Sequence, residues 1–576
     1  FLFSLFAVIA ISLLLSWVLA VTVVPMIGFW LFSAQREQAA AAGAQDQDEA
    51  SLYRGPLFAV YRPLINLALR ARWLVLAGLI AVTIVSYMGF GAVRQSFFPE
   101  TNTPLFFVNI QFPEGTDILS TDEAAQAIGG FVGAQPETVQ FDTFVGAGAT
   151  RFMLTYNAEQ PSPSYAQLIV RTAHINEIPA LGERILEHVR TTYPDAEIRI
   201  DRIVFGPPAG AKLEARFVGP DTEILRALSD EALARLSAQT DFVDLRTNWR
   251  NQVSVLRPVI MEDRTRNAGV TRQSIADMMN FATVGAPIGV FRDGETLIPI
   301  IARAPASERT GAGALEDRLV WSPAQNAYVP LNQVVSRFEL VPEEALIQRR
   351  NRMRTLSVQG NPPAGQTAVE AFGQFSEIVD SVPLPAGYSR EWGGEYESSA
   401  QANEALGGQL PFTLVVMLTI SFVLFAKVRQ PLIIWAIVPM AVNGVVIGLL
   451  VTGVAFSFTA LLGLLSLSGM LIKNAIVLVD EIDQRIARGD DRFAAVRDGA
   501  ISRLRPVLLA AVTTVLGMAP LIFDAFFQAM AVTIIGGLTF ATILTMIAVP
   551  VLYALFFGIR ADDPAEPRVE AETGPA

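Results

Sequence analysis

The chain has 576 residues, 52% of them hydrophobic, with a formal net charge of -12 and no cysteine. The acidic balance argues against a nucleic-acid partner, and the lack of cysteine excludes disulfides and thiolate metal sites. A mean hydropathy of +0.40, gathered into separate apolar runs, points to a membrane protein with a large soluble part.

Seven runs are long and apolar enough to cross a bilayer: 1–32, 73–93, 410–426, 431–452, 456–479, 507–523 and 531–557. The first opens at Phe1 without a basic leader or small-residue cleavage site, so it does not read as a signal peptide. It reads instead as the last helix of something upstream. An Ala/Gln/Asp-rich tract at 33–50 reads as a flexible connector. At 53–72, Leu57, Val60, Tyr61, Leu64, Ile65 and Ala68 recur at helical spacing between arginines, as in a helix lying along a membrane surface. Basic residues cluster in this linker (Arg36, Arg54, Arg62, Arg70, Arg72), after the third span (Lys427, Arg429) and between the fifth and sixth (Arg485 to Arg505). Alternating crossings put all of them on one side, the cytoplasm.

The stretch 94–409 lies on the opposite side and alternates strand-like and helix-like segments. Residues 105–112 read as a strand, 121–132 as a helix, 151–156 and 165–172 as strands, 178–192 as a helix and 196–203 as a strand. That order is the split βαβ arrangement of a ferredoxin-like sandwich, filling 94–205. A second unit spans 206–252 and 341–398, with strand 212–217, helix 223–239, a later strand within 346–360, helix 368–381 and strand 388–392. Between its halves, 253–340 reads as an insertion with a helix at 271–281 and turn-rich strands at 291–303. Residues 487–505 read as a second surface helix ending at Pro506, which suits the first turn of the sixth span. The tail 558–576, rich in Pro, Ala and Glu, reads as disordered.

Lys473 carries the strongest functional signal. It lies inside the fifth span, one of three lysines (with Lys212 and Lys427), and no Asp or Glu interrupts any apolar run. A lysine near the middle of a membrane helix costs roughly 3 kcal/mol. Snorkelling toward the Asp480 end, about 10 Å away, is the structural alternative. At 100° per residue Ser466, Gly469, Lys473 and Asp480 share one narrow stripe, and its small residues suit a second helix carrying the missing acid. His174 and His188 fall outside the spans, and Met153, Met278 and Met279 are scattered as core filler would be. The sequence has no phosphate loop, no metal-spaced His or Cys cluster and no nucleophile triad, so it does not read as an enzyme.

Three motifs carry a resemblance: SFFPE (Ser96 to Glu100), GMLIKNAIVLVDE (Gly469 to Glu481) and RLRPVLLAAVTTVLGMAPL (Arg503 to Leu521). From Phe97 to Phe557 the chain resembles the C-terminal half of a resistance–nodulation–division (RND) efflux permease. The resemblance implies an α-helical transmembrane bundle plus an α+β periplasmic domain, with two porter subdomains and a docking insertion. It implies proton-driven drug efflux across the bacterial inner membrane, with no cofactor beyond the coupling proton. It also implies a missing N-terminal half, a homotrimer, a periplasmic adaptor protein and an outer-membrane channel as partners. Lys473, with Asn474 beside it, matches the family's relay lysine, whose paired aspartates belong to the other half, and Arg503 matches a linked arginine. The family's relay threonine aligns with Ala510, leaving Thr513 or Thr514 to replace it, or to bond back to their own helix. Residues 144–152 align with the family's switch loop, so the resemblance places Phe141, Phe144, Gly146, Gly148 and Phe152 on the substrate pathway, with core packing as the alternative for the phenylalanines. Export of lipids or metal ions is the same-fold alternative, and a non-transporting scaffold or protein-translocation accessory is the alternative of another class.

Overall fold

The computed structural model describes residues 2–31, 55–206, 210–239, 241–305, 313–363 and 365–560. The connector at 33–50 and nearly all of the tail expected at 558–576 lie outside them. Seven described helices are long and apolar enough to cross a membrane.

The first of these is α1 (Leu2–Leu31), and none of its most apolar window is buried against the rest of the chain. Next comes α2 (Pro56–Arg70), which buries Phe58, Tyr61, Ile65, Ala68 and Leu69 against the cytoplasmic ends of the membrane helices. Leu57, Val60 and Leu64, read at the same helical spacing, stay exposed beside the buried stripe. The second span is α3 (Arg72–Phe90).

The first periplasmic unit runs β1 (Leu105–Gln111), α4 (Ile118–Gly133), β2 (Thr138–Val145), β3 (Tyr165–Thr172), α5 (Ile178–Thr192) and β4 (Glu197–Arg202). Its sheet has the order β2-β3-β1-β4, every pair antiparallel. The strand expected at 151–156 is a turn. The true second strand is Thr138–Val145, whose polar alternation (Gln140, Asp142, Thr143) hides a strand at the sheet edge.

The second unit begins with β5 (Leu213–Gly219), α6 (Thr222–Gln239) and β6 (Val243–Thr247). The insertion follows: β7 (Gln252–Ile260), α7 (Glu262–Asn267), α8 (Arg272–Ala282), the hairpin β8 (Ala286–Asp293) and β9 (Thr296–Ala302), then α9 (Gly313–Glu316), β10 (Leu319–Ser322), β11 (Ala327–Pro330) and β12 (Val335–Glu344). Pairing of β7 with β12 makes a two-stranded stalk from Gln252 to Glu344, slightly longer than the 253–340 read from the sequence. The unit closes with the short β13 (Arg349–Arg350), β14 (Met353–Asn361), α10 (Ala368–Asp380) and β15 (Ser389–Gly393). Strand β14 lies between β6 and β5, and β5 pairs with β15, again all antiparallel. The two units therefore share one strand order, and the insertion occupies the connection that is the β2–β3 loop in the first unit.

Helix α11 (Gly394–Phe425) starts in the periplasm directly after β15 and runs through the membrane, so the third span is the second half of a 32-residue helix. The fourth span is α12 (Arg429–Ile437) continued through a short 3-10 turn into α13 (Val442–Thr452). Then come α14 (Phe458–Ala487), α15 (Arg492–Met518) and α16 (Gln528–Phe556). Residues 487–505 do not form a separate surface helix: α15 is continuous and carries Pro506 in its interior. Membrane helices tolerate such a proline because neighbours re-satisfy the freed carbonyl. Helix α16 is the axis of the bundle, with 67% of its apolar window buried. It crosses α13 where Gly444 and Gly536 meet; a Cβ on Gly444 would lie 2.5 Å from the Gly536 carbonyl oxygen.

Segment SFFPE and the residues just before it join the first α+β unit to the membrane helices. The Phe456 amide donates to the Arg94 carbonyl (2.7 Å), and the Phe97 amide donates to Glu395 Oε1 (3.0 Å) at the start of α11.

Candidate functional site: a bare lysine in the membrane and a charged cleft above it

Helix α14 buries Leu467, Leu471, Ala475, Leu478 and Ile482 against its neighbours, a stripe at helical spacing. That leaves Ser466, Lys473 and Asp480 exposed on the other face, with Val477 36% exposed between them. A Cβ on Gly469 would meet nothing within 4 Å, in contrast to the tight crossing at Gly444. Lys473 makes no hydrogen bond or ion pair with any described residue. Asn474 is half-buried beside it.

About two turns on, the same helix handles charge differently. Glu481 Oε2 accepts from Arg503 Nη2 (2.5 Å) and its Oε1 from Arg485 Nε (2.8 Å), with Ser502 Oγ donating at 3.3 Å. Only 9% of the Glu481 side chain is exposed. Arg503 thus ties α15 to α14 at the cytoplasmic end and does not touch Lys473. Glu481 as its anchor was not read from the sequence, although the i, i+4 pair Glu481–Arg485 was a signal. Asp483 forms a second tie, accepting from Gln430 Nε2 (2.9 Å), from Lys427 Nζ (3.4 Å) and from the Tyr553 hydroxyl. The Thr513 hydroxyl donates to the Leu509 carbonyl (2.9 Å) and that of Thr514 to the Ala510 carbonyl (2.8 Å), the back-bonded arrangement of a helical threonine.

The five expected pathway residues do not form one pocket. Phe141 and Phe144 are three apart on β2, so they point to opposite faces. Phe141 packs on Gly129 and Gly133 of α4 as part of the core. Phe144 joins Phe107, Tyr156 and Met153 beyond the sheet, where Phe152 stacks on Tyr156 at 4.9 Å while staying 52% exposed. Gly146 adopts φ +78 at the start of the β2–β3 loop, a conformation that suits glycine. Met278 and Met279 pack in the insertion core, far from Met153 in sequence and cluster. His188 is not a plain surface residue: its ring stacks on Phe131 at 3.8 Å.

A cavity of about 620 Å³ lies elsewhere, between the two sheets. Strict alternation makes it. Phe106, Val108 and Ile110 of β1, and Ile198 of β4, face the helices, which turns Asn109, Gln111, Glu197 and Arg199 outward. In the second unit Leu213, Ala215 and Phe217 face inward, leaving Glu214 and Arg216 to the same cleft. Arg199 Nη2 pairs with Glu159 of the β2–β3 loop (2.7 Å); Arg216 pairs with Glu214 (2.7 Å) and with Glu397 of α11 (2.6 Å). Arg250 pairs with Glu114, joining the two units. Burial pushes the Glu159 carboxyl up, but the Arg199 guanidinium outweighs it and holds the group below the usual carboxylate range. Burial, with Arg199 close by, pushes Arg246 down to about 10. Among the described residues no group of three His, Cys, Asp or Glu side chains is placed to hold a metal ion.

The sequence model of the AcrB/AcrD/AcrF family matches residues 1–557. The chain belongs to this family. It is therefore an RND permease chain, a family of transporters and not enzymes, set in the inner membrane with its sheets in the periplasm. It is 26% identical over 386 residues to the cobalt-zinc-cadmium resistance protein CzcA of Cupriavidus metallidurans, covering 66% of this chain and 36% of that protein. It is 28% identical over 365 residues to the nickel and cobalt resistance protein CnrA of the same organism, covering 62% and 34%. A crystal structure of a heavy metal efflux pump superposes with a TM-score of 0.72 at 21% identity, covering 87% of this chain and 52% of that one. The chain thus spans about half, or less, of the length of the relatives it matches.

Proposed function

We propose that this chain acts as the C-terminal half of a proton-driven efflux permease, with Lys473 as the cationic member of its proton relay. The observation that carries this reading is the exposed stripe of α14: a bilayer-depth lysine on small residues, facing away from every helix that packs on α14. Such a charge is tolerated when a second helix supplies acids. Carboxylates from the other half would hold Lys473 while ionised. A proton arriving from the periplasm cancels one negative charge and weakens the bridge. The membrane potential adds roughly 2.3 kcal/mol per charge per 100 mV to the bias. Motion then reaches the porters through α11, which is a single helix from β15 to the cytoplasmic side. The two antiparallel sheets with their helices act as ferredoxin-like (split βαβ) porter subdomains, and the stalked insertion acts as the docking subdomain. Assembly as a trimer with a periplasmic adaptor and an outer-membrane channel follows the general habit of RND permeases.

Two cargo readings remain. The likeness to CzcA and CnrA, both named for metal resistance, favours metal ions over drugs. The charged porter cleft favours an organic molecule. Proton movement across liposomes carrying the full-length protein separates them. Flux stimulated by Co²⁺, Ni²⁺, Zn²⁺ or Cd²⁺ alone supports the metal reading, and flux stimulated by organic compounds alone supports the other. A full-length sequence with no intramembrane Asp or Glu contradicts the relay itself.

A further inference from the structure

Helix α2 is packed on one side only. Phe58, Tyr61, Ile65, Ala68 and Leu69 are buried against the bundle, while Leu57, Val60, Leu64 and Leu67 form a second row about a quarter-turn away. The second row is exposed, Val60 by 72% and Leu67 by 66%. It leads into Trp73 and Leu74, exposed in the same way at the start of α3. The row therefore continues the surface that the second span turns toward lipid.

The charges beside this row go unanswered among the described residues. Arg62 and Arg70 of α2 and Arg505 of α15 are exposed, and none makes a hydrogen bond or ion pair with any described residue. The Arg505 guanidinium lies over the Phe58 ring, 5.5 Å from its centroid, and Arg62 follows Phe58 by one turn of α2. Two cations thus meet at the contact of α2 with α15. A stacked ring holds a guanidinium in place without cancelling its charge. Other cytoplasmic arginines have acids: Arg485 and Arg503 hold Glu481, and Arg497 holds Asp498. Here none is at hand, because residues 50–99 include no Asp or Glu, in a chain whose net charge is -12.

We propose that Arg62 and Arg505 bind the phosphate of an anionic phospholipid of the cytoplasmic leaflet, whose acyl chains cover the row Leu57, Val60, Leu64 and Leu67. Guanidinium groups hold phosphate oxygens through paired N–H bonds, and Arg70 adds to the positive field. A free anion would leave the apolar row in water, whereas a lipid covers row and charge together. One lipid then bridges α2 to α15. The site is separate from Lys473, and its test does not use transport.

Full-length protein is reconstituted in nanodiscs of phosphatidylcholine containing a small share of either brominated phosphatidylglycerol or brominated phosphatidylcholine, at one ionic strength. Bromine quenches tryptophan on contact, and the part of the quenching lost in Trp73→Phe reports the lipid beside α2. Each basic residue near an anionic surface is worth about fivefold, so phosphatidylglycerol should reach Trp73 about twentyfold more readily than phosphatidylcholine. Arg62→Gln and Arg505→Gln should each cut this preference about fivefold, and Arg62→Lys should keep most of it. Thermal midpoints matching the parent show that the variants are folded. Equal quenching by the two lipids overturns the proposal, as does a preference that survives both glutamine variants. Loss of the preference on adding inorganic phosphate at the same ionic strength overturns the lipid as occupant. A preference that emerges only when Asp46→Asn, Asp48→Asn and Glu49→Gln are combined assigns the arginines to the preceding connector instead.

Discussion

On α14, Glu481 is gripped by Arg485 and Arg503, whereas Lys473, about 12 Å toward the N-terminus, faces away from every helix packed on it. Both are charges on one membrane helix, but the chain compensates only the one near the cytoplasmic surface. A charge answered within the chain stabilises it. A charge left bare at bilayer depth is, on the proposed reading, what a helix of the other half meets. The small-residue stripe around Lys473 and the close crossing of Gly444 with Gly536 make the same contrast in packing: one surface is closely packed and the other is open.

Removing the answered charge should have the largest effect on stability. Glu481→Gln leaves Arg485 and Arg503 without their anion in a nearly buried site, and breaking such a group costs about 3 kcal/mol. Thermal unfolding of the detergent-solubilised protein reads this as a clear drop in midpoint; an unchanged midpoint would mean that the cluster is only decorative. Gly469→Leu sharpens the packing half of the contrast. It meets open space in this chain, so the stability of the isolated half should stay within about 0.5 kcal/mol of the parent. In the full-length protein the same change should disturb the interface with the other half and reduce proton-coupled export. Indifference in both would place the stripe against lipid.

The polar and apolar periodicities made much of this fold legible. The strands at 105–111 and 165–172, the helix at 178–192 and all seven apolar spans lie where the alternation and hydropathy put them. Strand 138–145 escaped because it is a half-exposed edge strand with few aliphatic residues. The break expected at Pro506 failed because a membrane bundle absorbs a proline that water would expose. Of the site residues, Lys473 was readable from charge placement alone. The cleft was not, although the polar partners in VNIQ and EIRIDR carry it, since only the pairing of two sheets brings those faces together.

The smallest effect concerns Thr513 and Thr514. Both hydroxyls are spent on carbonyls of their own helix, so Thr513→Val and Thr514→Val should each leave export within about twofold of the parent. A tenfold loss in either would assign that hydroxyl to the relay.

The central claim rests on Lys473, and cargo-stimulated proton flux through the reconstituted full-length protein tests it most directly. Lys473→Met keeps length and removes the charge, so the variant should insert, unfold at the parent temperature and pass no cargo-coupled protons. Cargo-coupled flux in Lys473→Met equal to that of the parent would make Lys473 a structural residue and contradict the account.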